Sequence, residues 1–108
     1  MFENADTANN TVKKIITYIN SHYTEKITLD IMSKKLFVSK YHLCRIFKKA
    51  TGLTIQEYIT KKRLTLVAEL KKEGKNLTES ALAAGFGDYS SFYRAYTKRL
   101  QTNTKNQL

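Results

Sequence analysis

Leu29-Asp-Ile-Met-Ser-Lys-Lys-Leu-Phe-Val-Ser-Lys-Tyr-His-Leu-Cys-Arg-Ile-Phe-Lys48 and Leu77-Thr-Glu-Ser-Ala-Leu-Ala-Ala-Gly-Phe-Gly-Asp-Tyr-Ser-Ser-Phe-Tyr-Arg-Ala-Tyr96 repeat one pattern within a single chain. Ser33 matches Ala81 and Leu36 matches Ala84 at a separation of 48, while Leu43, Arg45 and Phe47 match Phe92, Arg94 and Tyr96 at 49. The slip of one residue falls between the two halves of each copy, where a tight turn is expected. A small residue in one helix, a turn, then an apolar, Arg, aromatic series at i, i+2, i+4 is what two helices crossing steeply require. Phe47 and Phe92 are expected to fill the corners of the two units, and Phe37 and Phe86, in the turns, to plug the core.

Outward from the repeat, apolar residues at Val12, Ile15, Ile16, Ile19 and Tyr23 have the spacing of one buried helical face, so a helix runs from Thr11 to about His22. Residues 1–10 are polar and unpatterned and are expected to be a disordered lead-in or the remnant of a linker, marking a domain cut. After a loop from Thr24 to Ile27, Thr28 is an N-cap for a helix with Leu29, Met32 and Leu36 inward. Ser39 caps the next, with Leu43, Ile46, Phe47 and Ala50 inward and Gly52 at its end. Thr54-Ile-Gln-Glu57 is a capping box. It opens a long helix to about Lys72, closed by Gly74, whose expected length is roughly 27 to 30 Å. A helix from about Thr78 to Ala84, a turn through Gly85-Phe86-Gly87 and a helix from about Asp88 to Leu100 complete the chain, and no strand pattern occurs.

Composition narrows the partner. The chain has 108 residues, 19 Lys plus Arg against 9 Asp plus Glu and a formal charge of +10, with a pI near 9.8. Such a balance points to an anionic partner, above all nucleic acid. A chain this short buries a modest core, which argues against a large catalytic cleft. One cysteine excludes an intramolecular disulfide, and no apolar run is long enough for a membrane span or signal-peptide core, so a cytoplasmic location is expected. His22, His42 and Cys44 lack the ligand spacing of a metal site. No nucleophile triad, phosphate loop or paired acids are visible, so no enzymatic activity and no cofactor is expected. Charge alone leaves two other classes open: a basic helical module that binds RNA or anionic membrane without sequence preference, and a module that binds another protein.

The sequence resembles the DNA-binding domain of the AraC/XylS transcription regulators. The resemblance covers residues 12 to about 100 and rests on three motifs in order: Ser39-x-x-x-Leu43-x-Arg45-x-Phe47-Lys48-x-x-x-Gly52, Tyr58-Ile59-x-x-x-Arg63-Leu64, and Ala81-x-x-x-Gly85-Phe86-x-Asp88-x-Ser90-x-Phe92-x-Arg94. It implies an all-α fold of two helix-turn-helix subdomains, homeodomain-like three-helix units, joined by one long linker helix. The expected division is 1–10 lead-in, 11–52 first subdomain, 53–74 linker helix and 75–108 second subdomain with a divergent C-terminal tail. It further implies sequence-specific binding of double-stranded promoter DNA, activation of transcription with RNA polymerase as a partner, and two reading helices in adjacent major grooves. Neither a small molecule nor a membrane is an expected partner of this domain. The domain alone is expected to be a monomer, with any dimerisation in a separate upstream domain.

By the family's pattern Tyr41, Cys44 and Arg45 face the groove from the first reading helix and Tyr89, Ser90, Tyr93 and Arg94 from the second. Arg pairs in bidentate fashion with guanine, and tyrosine rings pack on thymine methyls. Ser39, Lys40, Lys48, Lys49, Lys61, Lys62 and Lys98 are the expected phosphate contacts, with Thr97 also toward the backbone. The same arginines and lysines also suit a solvated face, and Lys71-Lys72 suits the helix dipole. The chain departs from the family in having no proline and in holding Gln101, Thr104, Gln107 and Leu108 where the closing segment has its Gly, Pro, aromatic and Arg. Thr97 replaces a usual lysine, and Ser33, Ser80 and Val67 replace alanine or other aliphatic residues.

Overall fold

A computed structural model describes the backbone of residues 5–107 and the side chains of residues 7–100. It contains six helices, α1 (Ala5–His22), α2 (Leu29–Leu36), α3 (Lys40–Thr51), α4 (Ile55–Lys72), α5 (Leu77–Ala83) and α6 (Tyr89–Gln107), with no strand among the described residues. Two compact units, 1–59 and 60–108, divide within α4. Each has its own core.

In the first unit the apolar faces of α1, α2, α3 and the start of α4 meet. Val12, Ile15, Ile19, Met32, Leu43, Ile46, Phe47, Ile55 and Ile59 are buried together. The helix starts follow from side chains that satisfy the orphan amides of a first turn. The Ile31 amide donates to Thr28 Oγ1 at 3.1 Å and the His42 amide to Ser39 Oγ at 3.2 Å. The capping box of α4 closes in both directions: the Glu57 amide donates to Thr54 Oγ1 at 3.0 Å and the Thr54 amide to Glu57 Oε1 at 2.9 Å. Gly52 ends α3 in the left-handed region, φ 79°.

The second unit buries Leu64 and Val67 of α4 against Ala81, Ala84, Phe86 and Phe92. Phe86 and Phe92 meet edge to face at 5.5 Å, a geometry that aligns the positive edge of one ring with the negative face of the other. Asn76 caps α5, its Oδ1 accepting the Glu79 amide at 2.8 Å. The cap places the start of α5 at Leu77, one residue before the sequence expectation. Ser80 is fully buried and its hydroxyl donates to the Asn76 carbonyl at 2.8 Å, which removes the cost of a polar atom in this core.

Several expectations are corrected. Residues 5–10 are helical, not a disordered lead-in; their lack of apolar pattern means only that this first part of α1 needs no buried stripe, and Met1–Asn4 lie outside the described residues. α6 continues to Gln107 in place of a tail beyond Leu100, because no Gly or Pro between residues 88 and 107 interrupts it. Leu29 is 36% exposed and Ala50 is exposed near the end of α3, so neither belongs to the core. Phe86 is buried as a core plug, but Phe37 is 93% exposed.

Candidate nucleic-acid interface

The two turns are built alike. In the first, the Val38 amide reaches back to the Ser33 carbonyl at 3.3 Å; in the second, the Phe86 amide reaches the Ala81 carbonyl at 3.1 Å. Both bonds span five residues and both enclose a left-handed residue, Phe37 at φ 58° and Gly85 at φ 108°. This is the closure that satisfies the last carbonyls of a helix and turns the chain sharply. The Ser33 hydroxyl adds a bond to the Val38 carbonyl at 2.6 Å. Ser39 and Asp88, 49 residues apart, then cap α3 and α6.

Leu43, Ile46 and Phe47 hold α3 to its core, which turns Tyr41, Arg45 and Lys48, at i, i+4 and i+7, to the opposite face. All three are exposed, Tyr41 at 76%. The Arg45 guanidinium lies 5.9 Å from the Tyr41 ring centre, a contact that steadies a long side chain without covering its donors. On α6, buried Phe92 and half-buried Ala95 leave Ser90 and Arg94 exposed at the matching register, with Thr97 half-buried. The Thr97 hydroxyl donates to the Tyr93 carbonyl at 2.7 Å.

The flanking residues differ more. Cys44 is half-buried and packs against the first core, beside a hollow lined by Met32, Ile55 and Ile59. Tyr89 and Tyr93 are exposed and their rings stack at 6.2 Å. Tyr96, the counterpart of Phe47, is 40% exposed and stacks on Phe92, so the second corner is filled by Phe92 and Phe86, whereas Leu43 and Phe47 fill the first.

Among the basic residues, Lys40 forms an ion pair with Asp30 at 2.8 Å. That hydrogen bond and the lysine charge hold the Asp30 carboxyl below its ordinary range and raise the Lys40 ammonium. Lys48 Nζ donates to the Gly52 carbonyl at 2.9 Å, at the negative end of α3. Lys49, Lys61 and Lys98 are exposed and Lys62 is half-buried. The Ser39 hydroxyl accepts an amide as a cap and still has a proton to donate.

Two side-chain roles, those of Asp88 and Arg63, and the backbone conformation of Phe37 went unassigned in the sequence. Asp88 accepts the Ser91 amide at 2.7 Å, and the Ser91 amide and hydroxyl, with the Arg94 charge, hold its carboxyl below the usual range. Its signal was an Asp three residues before a serine at a helix start. Arg63 lies half-buried with its guanidinium 5.9 Å from the Phe86 ring centre, and burial lowers its pKa. Phe37, with its left-handed backbone, had no local signal at all.

A family model described as a helix-turn-helix domain matches residues 32–105. The chain is 34% identical over 98 residues to the probable transcription factor PqrA of Proteus vulgaris, an alignment covering 88% of this chain and 80% of that protein. It is 30% identical to the regulatory protein SoxS of Salmonella typhimurium over 81% of this chain and 82% of SoxS. With the bifunctional transcriptional activator/DNA repair enzyme Ada of Escherichia coli it shares 34% identity over 73% of this chain, but it spans only 22% of Ada. A solved structure of a Listeria innocua protein of unknown function superposes with a TM-score of 0.74 at 26% identity, covering 81% of this chain and 84% of that one.

Proposed function

This chain belongs to the AraC-type family of helix-turn-helix domains and is a DNA-binding transcription regulator, and we propose that it works by inserting α3 and α6 into adjacent major grooves of double-stranded promoter DNA. The observation that carries this reading is the matched pair of turns, each delivering a capped helix with an exposed arginine at the same register. The length of α4 supports it. Eighteen residues rise roughly 27 Å, comparable to the ~34 Å between successive major-groove faces on one side of B-DNA.

In this reading Tyr41 and Arg45 read bases in the first half-site, and Ser90 and Arg94, flanked by Tyr89 and Tyr93, read the second. Cys44 contributes from the flank of α3. Ser39, Lys48, Lys49, Lys61, Lys62 and Lys98 meet phosphate, and Lys40 does so once the dense negative charge of the DNA backbone draws it from Asp30. Ada is named as a transcriptional activator, and activation is proposed here too, with RNA polymerase as the protein partner. The repair-enzyme activity in that name is Ada's, and no catalytic step is assigned to this chain. No described helix is long and apolar enough to cross a membrane, and a monomer acting in the cytoplasm fits the reading.

Selection from a random duplex library at physiological salt tests it. Two short conserved blocks should emerge with centres about one helical turn, roughly 10 to 10.5 base pairs, apart. Enrichment of no sequence, or of a single block, would refute the two-helix reading.

A further inference from the structure

Phe37 is the non-glycine residue with positive φ among the described residues, and it is also 93% exposed. The two facts oppose each other if stability alone decides. A left-handed backbone disfavours any side chain with a Cβ, and a ring in solvent returns no burial to offset that. The second unit makes the same turn with Gly85 at the same place, so the turn itself does not require a ring. Strain held at an exposed position is a reason to look for a contact outside the folded chain.

The position supplies the partner. Phe37 precedes the Ser39 cap of α3 by two residues, and the N-terminal end of a reading helix is the part that meets base edges. Its chain neighbours Lys34 and Lys35 are exposed cations, and Lys40, ion-paired with Asp30, is exposed as well, a setting that suits a polyanion and not an apolar protein surface. We propose that Phe37 is a further DNA-reading residue of the first unit, its ring packing on the C5-methyl of a thymine at the edge of the first half-site. The proposal rests on the DNA reading above. A ring has no hydrogen-bonding group, and the thymine methyl is the apolar feature of the major-groove edge. Gly85 gives the second half-site no such contact, so the two half-sites differ at this position.

The experiment uses the full chain and the duplex selected by the wild type, with each thymine replaced singly by deoxyuridine, which lacks only the methyl. At one thymine of the first half-site the replacement should weaken wild-type binding about fourfold, the effect of one buried methyl. Phe37→Gly should bind the thymine duplex about as weakly and be indifferent to deoxyuridine there. The same variant should melt a few degrees higher than wild type, since the strain is relieved and no buried contact is lost. A purely structural ring would not move affinity and melting temperature in opposite directions. Unchanged affinity in Phe37→Gly would overturn the proposal, as would weakened binding with the deoxyuridine sensitivity intact, which would put the ring against deoxyribose. Arg45→Ala separates the two levels of argument: if it loses the site and Phe37→Gly does not, only the Phe37 assignment fails, whereas no selected site at all removes both.

Discussion

Arg45 and Arg94 stand on the outer faces of helices whose inner faces are fixed by Leu43 and Phe47 in one case and by Phe92 in the other. That placement was legible in the sequence, because residues two apart on a helix point to nearly opposite sides, so a residue two positions from a core residue, as Arg45 is from Leu43 and Phe47 and Arg94 is from Phe92, points out. The role of Asp88 was not, because an acid before a helix is read as a cap only when the start of the helix is known to within a residue. Its carboxylate is held low by the Ser91 amide and hydroxyl. A depressed folded value means that its contribution is complete above the unfolded value and is lost as pH falls through the folded one. Melting temperature measured against pH should therefore fall more steeply below about pH 4 in the wild type than in Asp88→Asn, which keeps an acceptor but does not titrate. The ion-paired Asp30 leaves a residual slope in both proteins. Identical acid limbs would show that Asp88 does not cap α6. Phe37, like Leu29 and Ala50, was expected inside and lies outside: a turn phenylalanine and a core phenylalanine look alike until the backbone angle that swings Cβ outward is known.

At the scale of elements, α2, α3 and α4 begin at caps that are written in local sequence, Thr28, Ser39 and the Thr54-Glu57 box, and α3 stops at Gly52 as its conformational freedom implies. The outer ends of α1 and α6 were less visible. Neither Ala5–Asn10 nor the stretch beyond Leu100 carries an apolar stripe, and a helix without one leaves no periodic mark. The cores of the two units are separate sets of residues, with Phe47 and Phe92 fully buried in one each. Truncating either to Ala should cost about 3 to 5 kcal/mol by lost transfer energy and the cavity left behind. Denaturant titration measures it. An unmoved midpoint for Phe92→Ala would contradict the packing of α6 on α4 and α5.

For the whole molecule, the formal charge of +10 and the exposed lysines on α3 and α4 set how binding responds to salt. With about six phosphate contacts, raising salt from 50 to 200 mM should weaken DNA binding about a thousandfold. Lys48→Ala combined with Lys49→Ala should weaken all duplexes alike and flatten that slope, as phosphate contacts do. Loss confined to the selected site would make those lysines base readers. The central claim is that one chain carries two independent readers, and the measurement that bears on it most directly is a binding-site selection run in parallel on wild type, Arg45→Ala and Arg94→Ala. Each variant should lose about 1 to 3 kcal/mol on the wild-type site and relax preference within its own half-site while the other half-site stays intact. If both variants lose preference at the same base pairs, the two helices do not read separate turns of the duplex and the claim is wrong.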